Sequence, residues 1–297
     1  MTHVATERVN AGCRDVDLAD AVQGERIPLR LLYPTRAPSR LERLGPYPVD
    51  IALGAPPEGD GLKLVVISHG TGGSPLVYRH LALHLARAGF VVALPVHPGN
   101  NRDDDRLAGT AANLENRPRH LQLVLDAAFA DDVVGGRLSR GGVAVVGHSM
   151  GGYTALALAG GNPSAFAHQT ADGLPRPVAV AHDPRVRALV LLAPATAWFL
   201  ADGALAGVDL PILMWTAEKD EHAPAFHAEI VARGVGDPRR VERRVVPNAG
   251  HFAFLSPFPD AMRRPEFAPS QDPEGFDRAA FQPILRDAIV LFLRQNL

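Results

Sequence analysis

The sequence predicts an α/β fold: a mostly parallel central sheet with helices on both faces. Two patterns carry that expectation. Short apolar runs recur at 64–67, 90–94, 143–146, 188–192 and 212–216. Each is too brief for a helix and lacks the alternation of a half-solvated strand, which is the signature of strands buried on both faces. Between several of them, apolar residues return at helical spacing, and strand-helix alternation of this kind builds a parallel sheet. No internal repeat, low-complexity tract or clear linker interrupts the 297 residues, so one domain over 1–297 is expected.

Taken in order, residues 1–33 read as an opening pair of strands, the second at 27–33 and stopped by Pro34. Pro28 within it suits an edge position. Residues 35–61, rich in proline and glycine, read as a surface excursion with at most one short strand at 49–53. Strand 64–67 leads into Ser68-His69-Gly70-Thr71-Gly72-Gly73-Ser74-Pro75. Tyr78, Leu81, Leu85 and Ala88 then recur at helical spacing, and Gly89 supplies the cap. Strand 90–94 runs into His97-Pro98-Gly99-Asn100-Asn101 and an acidic loop at 103–105. A helix beginning near Arg117 presents Leu121, Val124, Leu125 and Ala128 as its apolar stripe. After the strand at 143 and a short helix at 154–159, residues 160–184 are irregular and are expected to form a small cap over the site. Strands at 188–192 and 212–216, a helix at 224–233, an edge strand at 241–246 and a closing helix bearing Leu285, Ala288, Ile289 and Phe292 complete the chain.

Composition excludes several functions. Thirty Lys and Arg against 32 Asp and Glu leave a net charge of −2. Nothing in this balance points to nucleic acid or a membrane surface as partner, both of which need a concentrated basic face. No apolar run reaches the roughly 18 residues of a spanning helix. Cys13 is the only cysteine, which rules out an intrachain disulfide. With no charged-then-apolar leader, the expected location is cytoplasmic.

One stretch carries chemistry. Val143-Ala144-Val145-Val146 ends abruptly in Gly147-His148-Ser149-Met150-Gly151-Gly152, and a small-residue helix follows. A strand, sharp turn and helix with one serine at the tip hold that serine in a strained conformation. Gly147 and Gly151 flank it because a Cβ at either place would collide with the neighbouring strand or helix. The turn lifts the hydroxyl clear of the sheet and aims the Met150 N–H and the helix dipole at the same point.

Ligands of an open parallel sheet sit at the carboxyl ends of its strands. Two more polar clusters fall there, Ala217-Glu218-Lys219-Asp220-Glu221 after one strand and Pro247-Asn248-Ala249-Gly250-His251-Phe252 after the last. A serine hydroxyl needs a base within hydrogen-bond reach, a histidine supplies it, and a carboxylate fixes the imidazole tautomer. Ser149 is the expected nucleophile and His251 the base. His148 leaves the turn in the wrong direction for that part. Asp220 is the favoured acid by its offset from the strand end, with Glu218 and Glu221 as alternatives on the same loop. Asp183 precedes its strand and lies at the wrong edge. The oxyanion hole should combine the Met150 N–H with one from the 69–73 loop, for which Thr71 is favoured between its glycines. Trp198, Phe199 and Phe252 follow strand ends and are expected to line the substrate pocket, with others of 252–258 beside Phe252.

Metal sites find little support. His80 and His84 lie four apart, and His222 and His227 flank Pro224, but neither pair has the glutamate of a zinc-protease helix. The 69–73 loop lacks the lysine of a phosphate-binding loop. No metal and no cofactor are expected. The expected partner is a small-molecule ester or amide.

The combination Tyr33-Pro34-Thr35, Ile67-Ser68-His69-Gly70-Thr71-Gly72-Gly73, His97-Pro98-Gly99-Asn100 and Gly147-His148-Ser149-Met150-Gly151-Gly152 resembles the α/β-hydrolase superfamily. Within it, the chain is similar to dienelactone-hydrolase-like proteins related to platelet-activating-factor acetylhydrolase, from about residue 27 onward. The order serine, acid, histidine agrees with that superfamily. The resemblance implies an α/β-hydrolase fold and a cofactor-free serine hydrolase that cleaves a carboxylic ester through an acyl-enzyme. The same residues would serve an amidase, peptidase or thioesterase, and a scaffold that had lost turnover would bind a ligand without cleaving it. Two departures narrow the analogy. Dienelactone hydrolases proper carry cysteine where this chain has Ser149. In the acetylhydrolases the acid follows the next strand, where this chain has Leu192-Ala193-Pro194-Ala195-Thr196 and no carboxylate. The acid role therefore passes to Asp220.

Overall fold

Residues 9–297 are described in the computed structural model of the chain, so residues 1–8 of the expected opening strand pair lie outside the described residues. The pair itself is present. β1 (Asn10–Asp20) and β2 (Glu25–Thr35) are antiparallel in unbroken register, from Asn10 opposite Thr35 to Asp20 opposite Glu25. Pro34 does not stop β2, and β2 is not an edge strand. Its far side pairs with the later strand at 90–95 only over Leu29–Leu32. Pro28 and Pro34, which have no N–H to give, thus fall outside the part of β2 bonded on both sides.

The stretch at 35–61 is more ordered than its composition suggests. β3 (Arg40–Leu44) and β4 (Tyr47–Leu53) form a hairpin, and β4 joins β1 in parallel through Gly12 opposite Ala52. Tyr47, Val49 and Ile51 are buried while Pro48 is exposed, a period of two that the Pro/Gly content masks. β3 ends the sheet, and its arginines and glutamate suit an edge.

The regular alternation follows. β5 (Leu62–Ser68), α1 (Arg79–Arg87), β6 (Phe90–Pro95), α2 (Ala111–Ala130), β7 (Leu138–His148) and α3 (Met150–Leu158) come first. A small two-stranded ribbon, β8 (Ser164–Ala165) with β9 (Arg176–Pro177), precedes β10 (Val186–Leu192), β11 (Ile212–Ala217), α4 (Phe226–Gly234), β12 (Val241–Val246) and α5 (Arg278–Asn296). α2 starts well before Arg117, at the cap where the Thr110 hydroxyl accepts the Asn113 N–H at 3.2 Å. Pro118 therefore lies inside the helix rather than at its first turn, and it removes the bond that the Leu114 carbonyl would receive. The Tyr153 hydroxyl from α3 takes that carbonyl instead, at 2.9 Å.

The ten-stranded sheet runs β12-β11-β10-β7-β5-β6-β2-β1-β4-β3, parallel from β12 through β6. Successive residues of its central strands serve opposite cores. Leu64, Val66, Val143, Val145, Leu189 and Leu191 pack against α2, α3 and α4. Val65, Ile67, Ala144, Val146, Val190 and Leu192 pack against α1 and α5. That is why these strands read as continuous apolar runs. The loops carrying Ser149, Asp220 and His251 all emerge from the carboxyl rim of the parallel half.

Candidate active site

Ser149 follows β7 directly and precedes α3, at φ 54° and ψ −120°. A side-chain-bearing residue there stores roughly 1–3 kcal/mol of strain. The turn is fixed by backbone bonds, from the Ser149 N–H to Leu192 O at 3.0 Å and from Ala195 N–H to Ser149 O at 2.9 Å. The glycines are sterically required. A Cβ on Gly147 would sit 2.2 Å from Gly151 O, one on Gly151 would sit 2.0 Å from Ser68 O, and one on Gly152 would sit 2.5 Å from Pro194 Cβ. Ser149 is only half-buried, so its hydroxyl remains reachable.

The acid and base loops are tied to each other. The Glu218 N–H donates to Val246 O at 3.1 Å and the Lys219 N–H to Ala249 O at 2.8 Å. This places Asp220 beside His251, whose Nδ1–H donates to the Asp220 carboxylate at 2.8 and 3.0 Å. Asp220 also accepts the backbone N–H groups of His222 and Ala223, at 2.9 and 2.7 Å. Burial works against the Asp220 charge. The hydrogen bond and charge of His251 and these two N–H groups outweigh it, and hold the carboxyl below its ordinary pKa. With Nδ1 donating, the Nε2 lone pair of His251 is left free to accept a proton. Glu218, the rival acid, instead accepts the Asn248 N–H at 2.7 Å, and Glu221 is exposed.

Ser149 and His251 line one apolar cavity of about 120 Å³, together with Gly70, Thr71, Gly72 and Phe252. No hydrogen bond joins the Ser149 hydroxyl to the His251 ring; such contacts commonly tighten only when substrate binds. Thr71 is exposed at the tip of a turn closed by the Gly73 N–H to Gly70 O bond of 3.1 Å, with Gly72 at φ 58°. A Cβ on Gly70 would sit 3.1 Å from the Ser149 Cβ, so the loop lies directly against the serine. The Met150 N–H is in the first turn of α3, where backbone donors have no partner within the helix.

Two of the three expected pocket residues lie elsewhere. Ala193 takes φ 43°, and the chain after β10 turns toward α3. Trp198 and Phe199 then pack on Tyr153, with ring centroids 5.0 and 5.5 Å away, and neither lines the cavity. Nor does any residue of 160–184. The apolar lining also includes Leu255, Phe258, Met262, Phe267 and Pro269, and Tyr47 of the β3–β4 hairpin. Phe267 and Phe258 stack edge to face at 5.1 Å. The part of this lining beyond Phe258 was missed because 259–270 has neither helical nor strand periodicity, though the aromatic Phe267 was a signal.

A buried polar layer beneath the loops was missed as well. The His148 Nε2–H donates to His251 O at 3.1 Å, and its Nδ1 accepts the Tyr78 hydroxyl at 2.9 Å. Burial lowers the His148 pKa to about 3, which keeps it neutral. Gln23 Oε1 lies 2.8 Å from His120 Nε2, which fixes the proton there. His97 then donates from Nδ1 to His120 at 3.1 Å and accepts the Ser68 hydroxyl on Nε2 at 2.9 Å. The position of His97 after a strand end, like that of Ser149, was the only trace in the sequence. Among the described residues no group of three or more His, Cys, Asp or Glu side chains is arranged to hold a metal ion. His84 contacts Asp287 at 3.0 Å, and His227 Nδ1 accepts the Thr196 N–H at 3.0 Å. Among the same residues, no helix is long and apolar enough to cross a membrane.

Comparison with known proteins agrees with this architecture. A family model described as the alpha/beta hydrolase fold matches residues 63–210. A ferulic acid esterase from Streptomyces cinnamoneus superposes with a TM-score of 0.67 at 20% identity, covering 99% of this chain and 91% of that one. The chain has the α/β-hydrolase fold. A dienelactone hydrolase from Anabaena variabilis gives a TM-score of 0.55 at 15% identity, with 96% and 99% covered. A dienelactone-hydrolase-like promiscuous phosphotriesterase from metagenomic libraries gives 0.59 at 16%, with 96% and 98% covered. No curated protein matches. The α/β-hydrolase resemblance carried by the serine turn and the 67–73 loop therefore holds for the fold.

Proposed function

We propose that the chain is a serine hydrolase that cleaves carboxylic esters through an acyl-enzyme. The observation that carries this reading is the buried Asp220–His251 pair, at 2.8 Å, opening on the same cavity as the strained Ser149 turn. In this scheme the Ser149 hydroxyl oxygen bonds to the ester carbonyl carbon as its proton passes to His251 Nε2. The carbonyl oxygen becomes an oxyanion held by the Met150 and Thr71 N–H groups. Losing one such donor typically costs roughly 2.7–4 kcal/mol of transition-state stabilisation. The bond to the leaving alkoxide breaks, and His251 returns the proton to it. Water then adds to the acyl-enzyme by the same route and frees Ser149.

The apolar walls supplied by Phe252, Leu255, Phe258 and Phe267 favour an apolar group beside the scissile bond. The esterase and dienelactone hydrolase among the structural neighbours support an ester substrate. Turnover of p-nitrophenyl acetate by the parent and its loss in Ser149→Ala, with an unchanged circular dichroism spectrum, is the expected result. Full turnover in Ser149→Ala would end the proposal.

A further inference from the structure

Arg117 is 0% exposed, yet among the described residues it makes no direct ion pair, and Asp105, whose charge acts on it, is joined to it only through Asn100. Its guanidinium donates only to neutral oxygens. Nε–H goes to Thr154 Oγ1 at 2.9 Å, and Nη1 goes to Asn100 Oδ1 at 2.6 Å. Nη2 goes to the His69 carbonyl and, at 3.4 Å, to Ser68 Oγ. Burial pulls its pKa down to about 9, which still leaves it cationic at neutral pH. Burying a cation with no carboxylate in direct contact is costly, and a neutral or apolar side chain would fill the same space at less expense.

What the guanidinium joins gives that cost a purpose. The His69 carbonyl belongs to the peptide leading into Gly70-Thr71, the loop arm of the oxyanion hole. Thr154 Oγ1 donates onward to Met150 O at 3.0 Å, which lies in the peptide following Met150, the helix arm. Asn100 is itself held, by its N–H to His97 O at 3.1 Å and by Nδ2 to Asp105 Oδ1 at 2.6 Å. One planar, rigid fork thus joins the end of β5, the loop after β6 and Thr154 of α3, one turn on from Met150.

We infer that Arg117 is a positioning residue that sets the separation of the two oxyanion donor arms, acting on the helix arm through the Thr154 hydroxyl. This rests on the esterase reading above. The two donors must converge on an oxygen that exists only in the transition state, so the fork should affect kcat and leave ground-state binding alone. Lysine offers the charge without the fork and cannot reach all three elements together.

Thr154→Val keeps the shape of the side chain and removes the hydroxyl, while Thr154→Ser keeps the hydroxyl. With p-nitrophenyl butyrate, Thr154→Val should lower kcat about 10-fold at unchanged KM, and Thr154→Ser should stay within about 2-fold of the parent. Arg117→Lys should lower kcat about 100-fold. An aryl boronic acid, which forms a tetrahedral adduct on a serine, should lose affinity in step with kcat across the three variants. A folded Thr154→Val with parent kcat and parent boronate affinity overturns the inference. So does a Thr154→Ser as impaired as Thr154→Val, or a loss expressed in KM alone. If Arg117→Lys fails to fold, the threonine pair still decides. A parent that neither turns over esters nor binds the boronate indicts the esterase reading instead.

Discussion

Replacing Asp220 with asparagine should disable the site while barely changing its shape. Asp220 Oδ1 receives two backbone N–H groups, from His222 and Ala223, in addition to its contact with His251. An amide oxygen must stay there, because an NH2 group would face two donors. The amide NH2 then takes the place of Oδ2, 2.8 Å from His251 Nδ1. Two donors cannot share that contact, so His251 has to give up its Nδ1 proton and carry it on Nε2. The lone pair that would accept the Ser149 proton is then gone. A wrong-tautomer triad typically loses about 10⁴-fold in kcat, or roughly 5.5 kcal/mol of barrier. Steady-state kinetics on p-nitrophenyl acetate would measure this, and nitrogen NMR of a histidine-labelled sample would report the tautomer directly. An Asp220→Asn enzyme within 10-fold of the parent would refute the reasoning. The same loss in Glu218→Gln would move the acid to Glu218, whereas its bond to the Asn248 N–H predicts a change of less than about 3-fold.

Further outcomes follow from the same geometry. Tyr78→Phe leaves His148 Nδ1 buried without a donor, so chemical denaturation should show a loss of about 1–3 kcal/mol. Because His148 holds the His251 backbone, kcat should fall with it. Gly151→Ala brings a Cβ to 2.0 Å from Ser68 O, and should cost about 3 kcal/mol or more, or give no folded protein. The protein should also be acid-labile. His69, His120 and His148 have pKa values lowered by burial to about 3, and His97 is well below 6.5. Each is neutral when folded and free to protonate when unfolded. The unfolded chain therefore binds more protons below pH 6.5, and stability that is complete above that value drains away as pH falls toward 3. Each group contributes up to about 1.4 kcal/mol per pH unit in that window. Urea midpoints at pH 7.5 and pH 5.0 should differ strongly, and equal midpoints would contradict the neutral assignment.

The buried parallel strands and the serine turn were legible because backbone geometry leaves a local mark in sequence. A strand covered on both faces has no polar positions, and the Ser149 turn admits only glycine at 147 and 151. The spacing of Asp220 and His251 from their strand ends was legible for the same reason. What escaped notice depended on distant partners. Pro34 lies within a strand because the pairing of β2 with β6 ends at Leu32, and Pro118 lies within a helix because Tyr153 takes the freed carbonyl. β4 is a strand whose alternation is half hidden by its flanking prolines and glycines. Trp198 and Phe199 pack on Tyr153, and the chain reaches them through a left-handed alanine, Ala193, a conformation that an alanine does not announce in sequence. Arg117 read only as the start of a helix, and nothing within ten residues of it shows that its partners are Ser68, His69, Asn100 and Thr154.

The central claim is that Ser149 is an activated nucleophile, and intact mass measurement after treatment with a fluorophosphonate tests it most directly. The account predicts one added phosphonyl group on the parent, mapped to the peptide bearing Ser149. Ser149→Ala should show none, and His251→Gln should react at least 100-fold more slowly. A parent that stays unmodified, or one modified at another residue while Ser149→Ala keeps its ester turnover, would contradict it.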